Sequence, residues 1–305
     1  MDWKVFPSHD QYDYIFVDEA QDLNRIQMAL IDKMMETSPK AKLVFIGDTF
    51  QSIYGFRGAL PDAMEVLQHK YACDTLYLST CFRCPQKVIE EANRWVPDIY
   101  PMDLADIGEV FRLPTMPNPD ELKGAAVLCR NNAPLIGFAL HCIRNGVGCR
   151  VLGTDIGRGL EKLLKKLSKG IANIYDLEAR IKKWSEMEAK KMVSQGRTKS
   201  LDTLHDKTQS LLAICNRFDG SQNPRLVSTA IRQMFDEKQN PPIVASTIHK
   251  AKGLEWKRVV FLYPELIPSL YAEKAWELQQ EKNLLYVATT RAQEELIIVG
   301  EHSGN

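Results

Sequence analysis

Short and nearly continuous apolar runs recur along the 305-residue chain and alternate with stretches of helical character. The runs read YIFVD, LVFIGD, TLYLST, AAVLCR, CRVLG, PIVAST, RVVFLY and ELIIVG. Strands that are apolar on both faces are typical of parallel sheets covered by helices on both sides. The alternation therefore predicts an α/β fold, in which ligands bind beyond the carboxyl ends of the strands.

Residues 156–240 depart from this alternation and predict a helical insertion. Apolar residues at helical spacing predict a first helix over 160–174 and a third helix over 201–215, and Asp176 is expected to cap a helix between them. Between positions 158 and 199, twelve Lys and Arg residues face five Asp and Glu residues. Such a basic stretch fits a solvated surface as well as it fits a nucleic-acid contact.

The composition sets further bounds. A formal net charge of zero excludes a uniformly basic nucleic-acid coat but allows local patches. No apolar run approaches the roughly 18 residues of a membrane helix. The N-terminus lacks the pattern of an export signal. Seven cysteines, an odd number, then predict reduced thiols in the cytoplasm.

Cys81 and Cys84 form a single C-x-x-C, which is half a zinc site, a redox pair or, as we favour from the sequence, two free thiols.

The run YIFVD ends in the acids Asp18 and Glu19. A carboxylate at the end of a buried strand suits Mg²⁺, which takes few protein carboxylates, and a neighbouring Glu can polarise an attacking water. Alternatively, both acids favour the start of a helix.

No glycine of the sequence is followed by lysine, so the phosphate-binding loop G-x-x-x-x-G-K-[ST] is absent from these residues.

The segment IGDTFQSIYGFRGA follows the second apolar run. Gln51 can bond a terminal phosphate or the attacking water. Tyr54 and Phe56 lie beside Arg57, a combination that suits stacking on unpaired bases. The alternative is a turn whose aromatic rings join the core.

Two further segments carry cations. STIHKAKGLEW places hydroxyl, imidazole and ammonium donors before Gly253, a composition suited to phosphates. These donors belong to Thr247, His249, Lys250 and Lys252. In EKNLLYVATTRA, Arg291 ends a helix expected to begin near Glu281, and Arg83 lies in LSTCFRCP. Taken singly, each arginine would be read as a surface residue.

Five of these segments, in this order, resemble motifs of the UvrD/Rep-type superfamily 1 DNA helicases. VDEAQD resembles their Walker B motif and GDTFQSIYGFRGA their third motif. LSTCFRCP is similar to a segment that usually reads N-Y-R-S, and STIHKAKGLEW and LLYVATTRA resemble the last two motifs. The resemblance implies two RecA-like domains, the end of the first in residues 1–79 and the second in residues 80–305 with its insertion at 156–240.

The resemblance also implies roles for single residues in binding ATP. Asp18 would hold Mg²⁺, Glu19 would be the catalytic base, Gln51 would sense the γ-phosphate, Arg83 and Arg291 would be arginine fingers, Phe82 would stack on adenine, Glu255 would bind the ribose, and Gly253 would lie near the nucleotide.

Single-stranded DNA is the second ligand that the resemblance implies. Tyr54, Phe56 and Arg57 would contact its bases, and Thr247 and His249 its backbone. Phe56 stands where the family usually has Trp, Phe82 where it has Tyr, and Cys81 where it has Asn. The first two changes keep an aromatic face.

The function expected from the sequence is an ATP-dependent 3′–5′ DNA helicase or single-stranded DNA translocase. The phosphate-binding loop is expected from an upstream segment or a partner subunit, so that these 305 residues alone would be inactive. The alternative is a non-catalytic, partner-dependent DNA-binding or regulatory protein of helicase descent. A helicase–nuclease fusion is disfavoured because little sequence follows ELIIVG.

Overall fold

In the computed structural model, residues 12–236 and 240–300 are described. The N-terminal part is a two-stranded parallel sheet, β1 (Tyr14–Val17) and β2 (Lys42–Phe45), with helix α1 (Arg25–Thr37) between the strands and α2 (Ala63–Tyr71) after them. The Asn24 side chain caps α1 by accepting two backbone N–H groups of its first turn. The core of this part is small, and its buried members are Ala20, Leu23, Met28, Ile31 and Leu67.

A second parallel pair, β3 (Thr80–Cys81) and β4 (Tyr100–Pro101), precedes the main sheet, with α3 (Gln86–Ala92) between its strands. The main sheet has six parallel strands in the order β5, β10, β9, β6, β8, β7. These are β5 (Glu109–Leu113), β6 (Ala125–Cys129), β7 (Cys149–Val151), β8 (Ile243–Thr247), β9 (Trp256–Leu262) and β10 (Ala292–Val299).

The central strand β6 is buried along its whole length, and its side chains alternate between two cores. Ala125, Val127 and Cys129 join one core, whereas Ala126 and Leu128 join the other. The first face carries α4 (Asn132–Arg144), α5 (Thr154–Leu167), α6 (Ile174–Ser194), α7 (Ser200–Cys215) and α8 (Arg225–Met234). The opposite face carries α3, α9 (Ile248–Ala251) and α10 (Ala275–Thr289). The predicted α/β fold, with parallel sheets covered by helices, is confirmed.

The insertion differs in detail from its prediction. Up to residue 236, where the described stretch ends, it contains four helices, α5 to α8, where three were expected. The first ends at Leu167 and does not reach Ile174, because Gly170 follows with φ +74° in the left-handed region. The second is capped by Asn173, whose Oδ1 accepts the Asp176 backbone N–H at 2.9 Å, and the cap predicted at Asp176 is therefore wrong.

The strand predicted at TLYLST is wrong except for its end. Only Thr80 and Cys81 pair, and the side chains of Leu76, Tyr77 and Leu78 are 90%, 89% and 95% exposed. A strand needs a hydrogen-bonding neighbour, and no strand in the described part of the chain lies beside residues 75–79.

The start of one helix and the presence of one strand also differ from the sequence expectations. Helix α10 begins at Ala275, ahead of the start expected near Glu281, since the Glu277 carboxylate caps its first turn and the polar residues 279–283 interrupt the apolar periodicity. Strand β5 was not predicted because it lies at the sheet edge and is only partly buried. Among the helices of residues 12–236 and 240–300, none is long and apolar enough to cross a bilayer.

Candidate functional site

Asp18 and Glu19 lie directly beyond the carboxyl end of β1, and both are exposed. The Asp18 Oδ1 accepts the Glu19 backbone N–H at 2.8 Å, and the Gln21 side chain donates to Glu19 Oε2 at 2.6 Å. Glu19 has φ 51° and ψ 39°, an uncommon conformation for a residue with a side chain. Strain of this kind concentrates at functional sites, where surrounding contacts hold it.

Lys252 joins this acidic turn to the second part of the chain. Its ammonium group donates to Asp22 Oδ2 at 2.6 Å and to the Gln51 carbonyl at 2.8 Å, and lies 3.1 Å from Glu19 Oε2. Burial raises the pKa of the Asp22 carboxyl, and the bond from Lys252 opposes that effect. In this structure Lys252 therefore binds carboxylates, and the neighbouring Lys250 pairs with Asp155.

Asp48 is a second junction between the two parts. Its Oδ2 accepts the Gln51 side-chain amide at 2.9 Å and the Tyr286 hydroxyl at 3.1 Å, and its Oδ1 accepts the Phe50 backbone N–H at 2.9 Å. Burial and the adjacent Asp48 raise the pKa of Tyr286. Gln51 is thereby held against α10 at the end of the second strand.

Arg291 is buried, with 1% of its surface exposed, and lies just before β10. Its guanidinium donates to the Val287 carbonyl (3.0 Å), the Leu254 carbonyl (3.2 Å) and the Thr290 hydroxyl (3.1 Å). Among the residues described, no carboxylate forms an ion pair with it. Burial lowers the pKa of Arg291, and the nearby positive charge of Arg83 lowers it further.

Arg83 and Glu255, the predicted finger and the predicted ribose-binding acid, form an ion pair with each other. Both are partly exposed. Phe82, next to Arg83, has 78% of its surface exposed and is thus accessible for stacking. Gly253 is exposed with φ +82°, the left-handed conformation that favours glycine.

The predicted DNA-binding aromatics form one cluster with His249. The Tyr54 hydroxyl donates to the His249 carbonyl at 2.7 Å, and the ring of Phe56 meets the imidazole edge-on at 5.4 Å between centroids. The Arg57 guanidinium lies 5.1 Å from the Tyr54 ring centroid and 5.5 Å from that of Phe56. Phe56 is 65% exposed and Tyr54 is half-buried against the core, whereas Thr247 is buried.

Burial has a clear electrostatic effect on His249. It lowers the pKa of the imidazole, and together with the positive charges of Arg130 and Arg57 it brings that pKa to about 4. The imidazole is therefore neutral at ordinary pH. Within the cluster of Tyr54, Phe56, Arg57 and His249 the positive charge comes from Arg57, and the Lys252 ammonium lies 5.3 Å from the Tyr54 ring centroid.

Helix α10 supplies positioning residues that the sequence did not reveal. Asn283, buried inside the apolar segment KNLLYVAT, donates to the carbonyls of Thr49 (3.2 Å) and Ser52 (2.9 Å), and Gln280 accepts the Gly55 N–H at 2.9 Å. A polar residue in an apolar helical run was the available signal. A cleft of about 270 Å³ lies between α10 and residues 49–65. None of the predicted catalytic residues lines it, although Phe50 and Ser52, the neighbours of Gln51, do.

The fold and the site define an α/β protein in which Lys252 and Tyr286, from the second part of the chain, contact acids that follow the strands of the first sheet. Arg83 and Arg291 lie near each other in the second part. The UvrD/REP helicase N-terminal domain family matches residues 7–72, and the UvrD-like helicase C-terminal domain family matches residues 150–303. The chain therefore belongs to the UvrD/Rep-type superfamily 1 helicases.

Curated relatives are similar over different lengths. F-box DNA helicase protein 1 of Schizosaccharomyces pombe is 27% identical over 96% of this chain, and F-box DNA helicase 1 of Gallus gallus is 24% identical over 96%. The aligned regions cover 34% and 29% of those proteins, so the chain spans about a third of their length. The putative ATP-dependent DNA helicase YjcD of Bacillus subtilis is 34% identical over 27% of this chain and 11% of its own length.

One solved structure, the C-terminal domain of a possible DNA helicase from Lactobacillus plantarum, covers 72% of this chain and 86% of its own. Its sequence identity is 11% and its TM-score 0.35, values too low to add to the family assignment.

Proposed function

We propose that the chain is part of an ATP-dependent 3′–5′ DNA helicase or single-stranded DNA translocase, with residues 1–79 in the first RecA-like domain and 80–305 in the second. The observation that carries the proposal is Arg291. It is a buried cation that makes no carboxylate ion pair in the described residues and lies near Arg83. It also donates to the carbonyl of Leu254, two residues from the lysine that contacts Glu19. Such a site is complete when an anion enters it, and a triphosphate is an anion that these acids can also serve through Mg²⁺.

The exposed carboxylate of Asp18 fits Mg²⁺, which takes one or two protein carboxylates and keeps several waters. The ion would neutralise charge on the phosphates when bound. Glu19 takes the proton of the attacking water, and Gln51, held by Asp48, orients that water. Arg83 and Arg291 stabilise charge that develops on the transferred phosphoryl group.

The phosphate-binding loop comes, in this proposal, from polypeptide outside the 305 residues, as an upstream segment or a partner subunit. Two observations support it. The sequence contains no glycine followed by lysine, and the apolar side chains of residues 76–78 are exposed where a further strand would cover them. The seven cysteines are all unpaired, which supports a cytoplasmic location.

Single-stranded DNA binds, in this proposal, on the cluster of Tyr54, Phe56, Arg57 and His249, where an exposed ring lies beside a guanidinium. A second candidate function is a DNA-binding or regulatory protein without catalysis. It is favoured by the ion pairs that occupy Arg83 and Glu19 in this structure. Binding of ATP must exchange these pairs for contacts to phosphate and water if the chain is a motor.

The test combines the chain with a segment that carries a strand and a phosphate-binding loop, and measures phosphate release with and without single-stranded DNA. Arg83→Ala and Arg291→Lys should lower DNA-stimulated hydrolysis by about 10³–10⁵-fold and leave DNA affinity nearly unchanged. Arg232→Ala, which removes an exposed ion-paired arginine on α8, serves as the control and should have no effect. Normal hydrolysis in both site variants excludes the finger roles, and DNA binding without hydrolysis in the combined protein favours the non-catalytic alternative.

A further inference from the structure

Cys81 and Cys84 lie on either side of Phe82 and Arg83. Strand β3 ends at Cys81, and the chain bends over the next residues so that Cys84 enters the core that Cys81 packs against. The two side chains are close enough to share a hydrogen bond. The C-x-x-C spacing and this contact together place two sulfur atoms within reach of each other.

The two cysteines differ in access to solvent. Cys81 is partly exposed, whereas Cys84 is buried and its Sγ lies 3.5 Å from the Thr290 carbonyl. The bond from the Cys84 side chain lowers the pKa of Cys81 to about 5, helped by the backbone N–H groups of Cys84 and Arg83 and by the Arg83 charge. The same contact raises the pKa of Cys84. An accessible thiolate beside a protonated thiol is the arrangement of redox-sensing pairs.

A metal site is the competing interpretation of this C-x-x-C. Four-coordinate zinc needs further Cys or His ligands, and within residues 12–236 and 240–300 no group of three or more His, Cys, Asp or Glu side chains is placed to hold an ion. The pair is therefore short of ligands for a structural metal, whereas a disulfide needs only the two neighbouring thiols.

We infer that Cys81 and Cys84 form a reversible intramolecular disulfide when the chain meets a peroxide, with Cys81 as the attacking residue and Cys84 as the resolving residue. The Cys81 thiolate attacks one peroxide oxygen, the O–O bond breaks, and the leaving hydroxide is protonated to water. Cys81 is now a sulfenic acid. The Cys84 thiol attacks the Cys81 sulfur, the S–S bond forms, and hydroxide leaves with the Cys84 proton as a second water.

The balance is two thiols and one peroxide giving one disulfide and two waters, and a dithiol reductant reverses the oxidation by exchange. The bond closes a ring that contains Phe82 and Arg83. On the proposed function, which this consequence rests on, the oxidised loop holds both nucleotide-facing side chains in one arrangement and lowers hydrolysis. The disulfide itself does not depend on that function.

The test uses the 305-residue chain treated with hydrogen peroxide, then alkylated and digested with trypsin. Cleavage at Lys70, Arg83 and Lys87 separates Cys81, in peptide 71–83, from Cys84, in peptide 84–87. We expect mass spectrometry to find these peptides joined, and to find them separate after reduction. Alkylation of Cys81 should reach half its maximal rate near pH 5. An ordinary thiol, whose pKa is about 8.5, would reach that point at a much higher pH.

Controls separate this bond from other chemistry. In Cys84→Ser the sulfenic acid of Cys81 should persist and react with dimedone, and Cys81→Ser should form neither product. Cys73→Ser, in the same peptide as Cys81, should leave the bond intact. Cys142 and Cys149 are also neighbours but both are buried, so they should stay reduced. Unchanged alkylation of Cys81 and Cys84 after peroxide, or a bond from Cys73, overturns the inference whether or not the chain acts in ATP hydrolysis.

Discussion

Arg291 shows how burial and charge conflict at a single residue. A guanidinium taken out of water is costly unless its charge is compensated, and its three acceptors here are neutral oxygens. Arg83, close by, shares its charge with Glu255. The pair of arginines thus carries more positive than negative charge, which favours an anion between them and gives a physical reason for keeping a buried cation in this position.

Phe56 provides a prediction at this scale. Because its ring is 65% exposed, Phe56→Ala should weaken binding of single-stranded DNA by about 1–3 kcal/mol while changing the melting temperature little. Tyr54→Ala should weaken DNA binding too, but should also lower stability because the ring is half-buried and its hydroxyl bonds the His249 carbonyl. A DNA titration beside a melting curve measures both.

Phe82→Ala is the matched control for Phe56, since it removes another exposed ring outside the cluster. It should leave DNA affinity unchanged. A loss of stability in Phe56→Ala with normal DNA affinity would assign that ring to the core.

His249 provides a prediction about pH. Its pKa is 6.5 in the unfolded chain and about 4 in the folded one, so the unfolded state binds more protons between these values. The stabilising contribution is complete above pH 6.5 and is lost as the pH falls toward 4. The melting temperature of the wild-type protein should therefore fall further between pH 7 and 4.5 than that of His249→Gln. In a domain of this size, each kcal/mol of lost stability lowers the melting temperature by about 2–4 °C. Equal losses in the two proteins would contradict the shift.

At the scale of elements, the sequence predicted most strands of the main sheet because each is apolar on both faces, as in β6. The sequence did not predict whether a strand finds a hydrogen-bonding partner. Residues 75–79 have the composition of a strand but no neighbouring strand among the described residues. The sequence also failed where a cap decides, since the side chains of Asn173 and Glu277 cap helices whose starts were expected at other residues. The motifs located the acids and arginines. Contacts such as those of Lys252 join residues far apart in the sequence, so residue spacing could not predict them.

Lys252 carries the prediction at this scale, because it ties the acidic turn to the loop after α9. Lys252→Met removes the cation between Glu19 and Asp22 and should destabilise the chain, by up to the about 3–5 kcal/mol seen when a buried pair loses one partner. Asp22→Asn added to Lys252→Met should restore part of the loss. Thermal unfolding measures all three proteins.

Lys250→Met is the control, two residues away. Lys250 pairs with Asp155, whose side chain is largely exposed, so the change should cost about 1 kcal/mol or less. Equal effects of the two substitutions would show that the contacts of Lys252 stabilise the chain no more than an exposed ion pair does.

Across the whole molecule, the two sheets are unequal. The main sheet has six strands and a helical layer on each face, whereas β1 and β2 pair only with each other among the described strands and rest on a small core. Two-stranded sheets are marginally stable in water. The exposed apolar side chains of Phe16, Leu76 and Leu78 lie in this same part. The N-terminal part is therefore the less stable one, and it also carries an exposed apolar surface that a partner segment could cover.

Hydrogen exchange tests this difference. In the 305-residue chain, amides of residues 12–79 should exchange much faster than those of β6, because opening a two-stranded sheet breaks fewer contacts. Adding a polypeptide that supplies a strand and a phosphate-binding loop should slow exchange in β1, β2 and residues 75–79, leave β6 unchanged, and bring DNA-stimulated ATP hydrolysis in the same titration. A segment with the same strand but with its loop lysine replaced by alanine should restore protection without hydrolysis, which separates folding from chemistry. Protection of residues 12–79 equal to that of β6 before any addition, or strong hydrolysis by the 305 residues alone, would show that the first sheet needs no further strand.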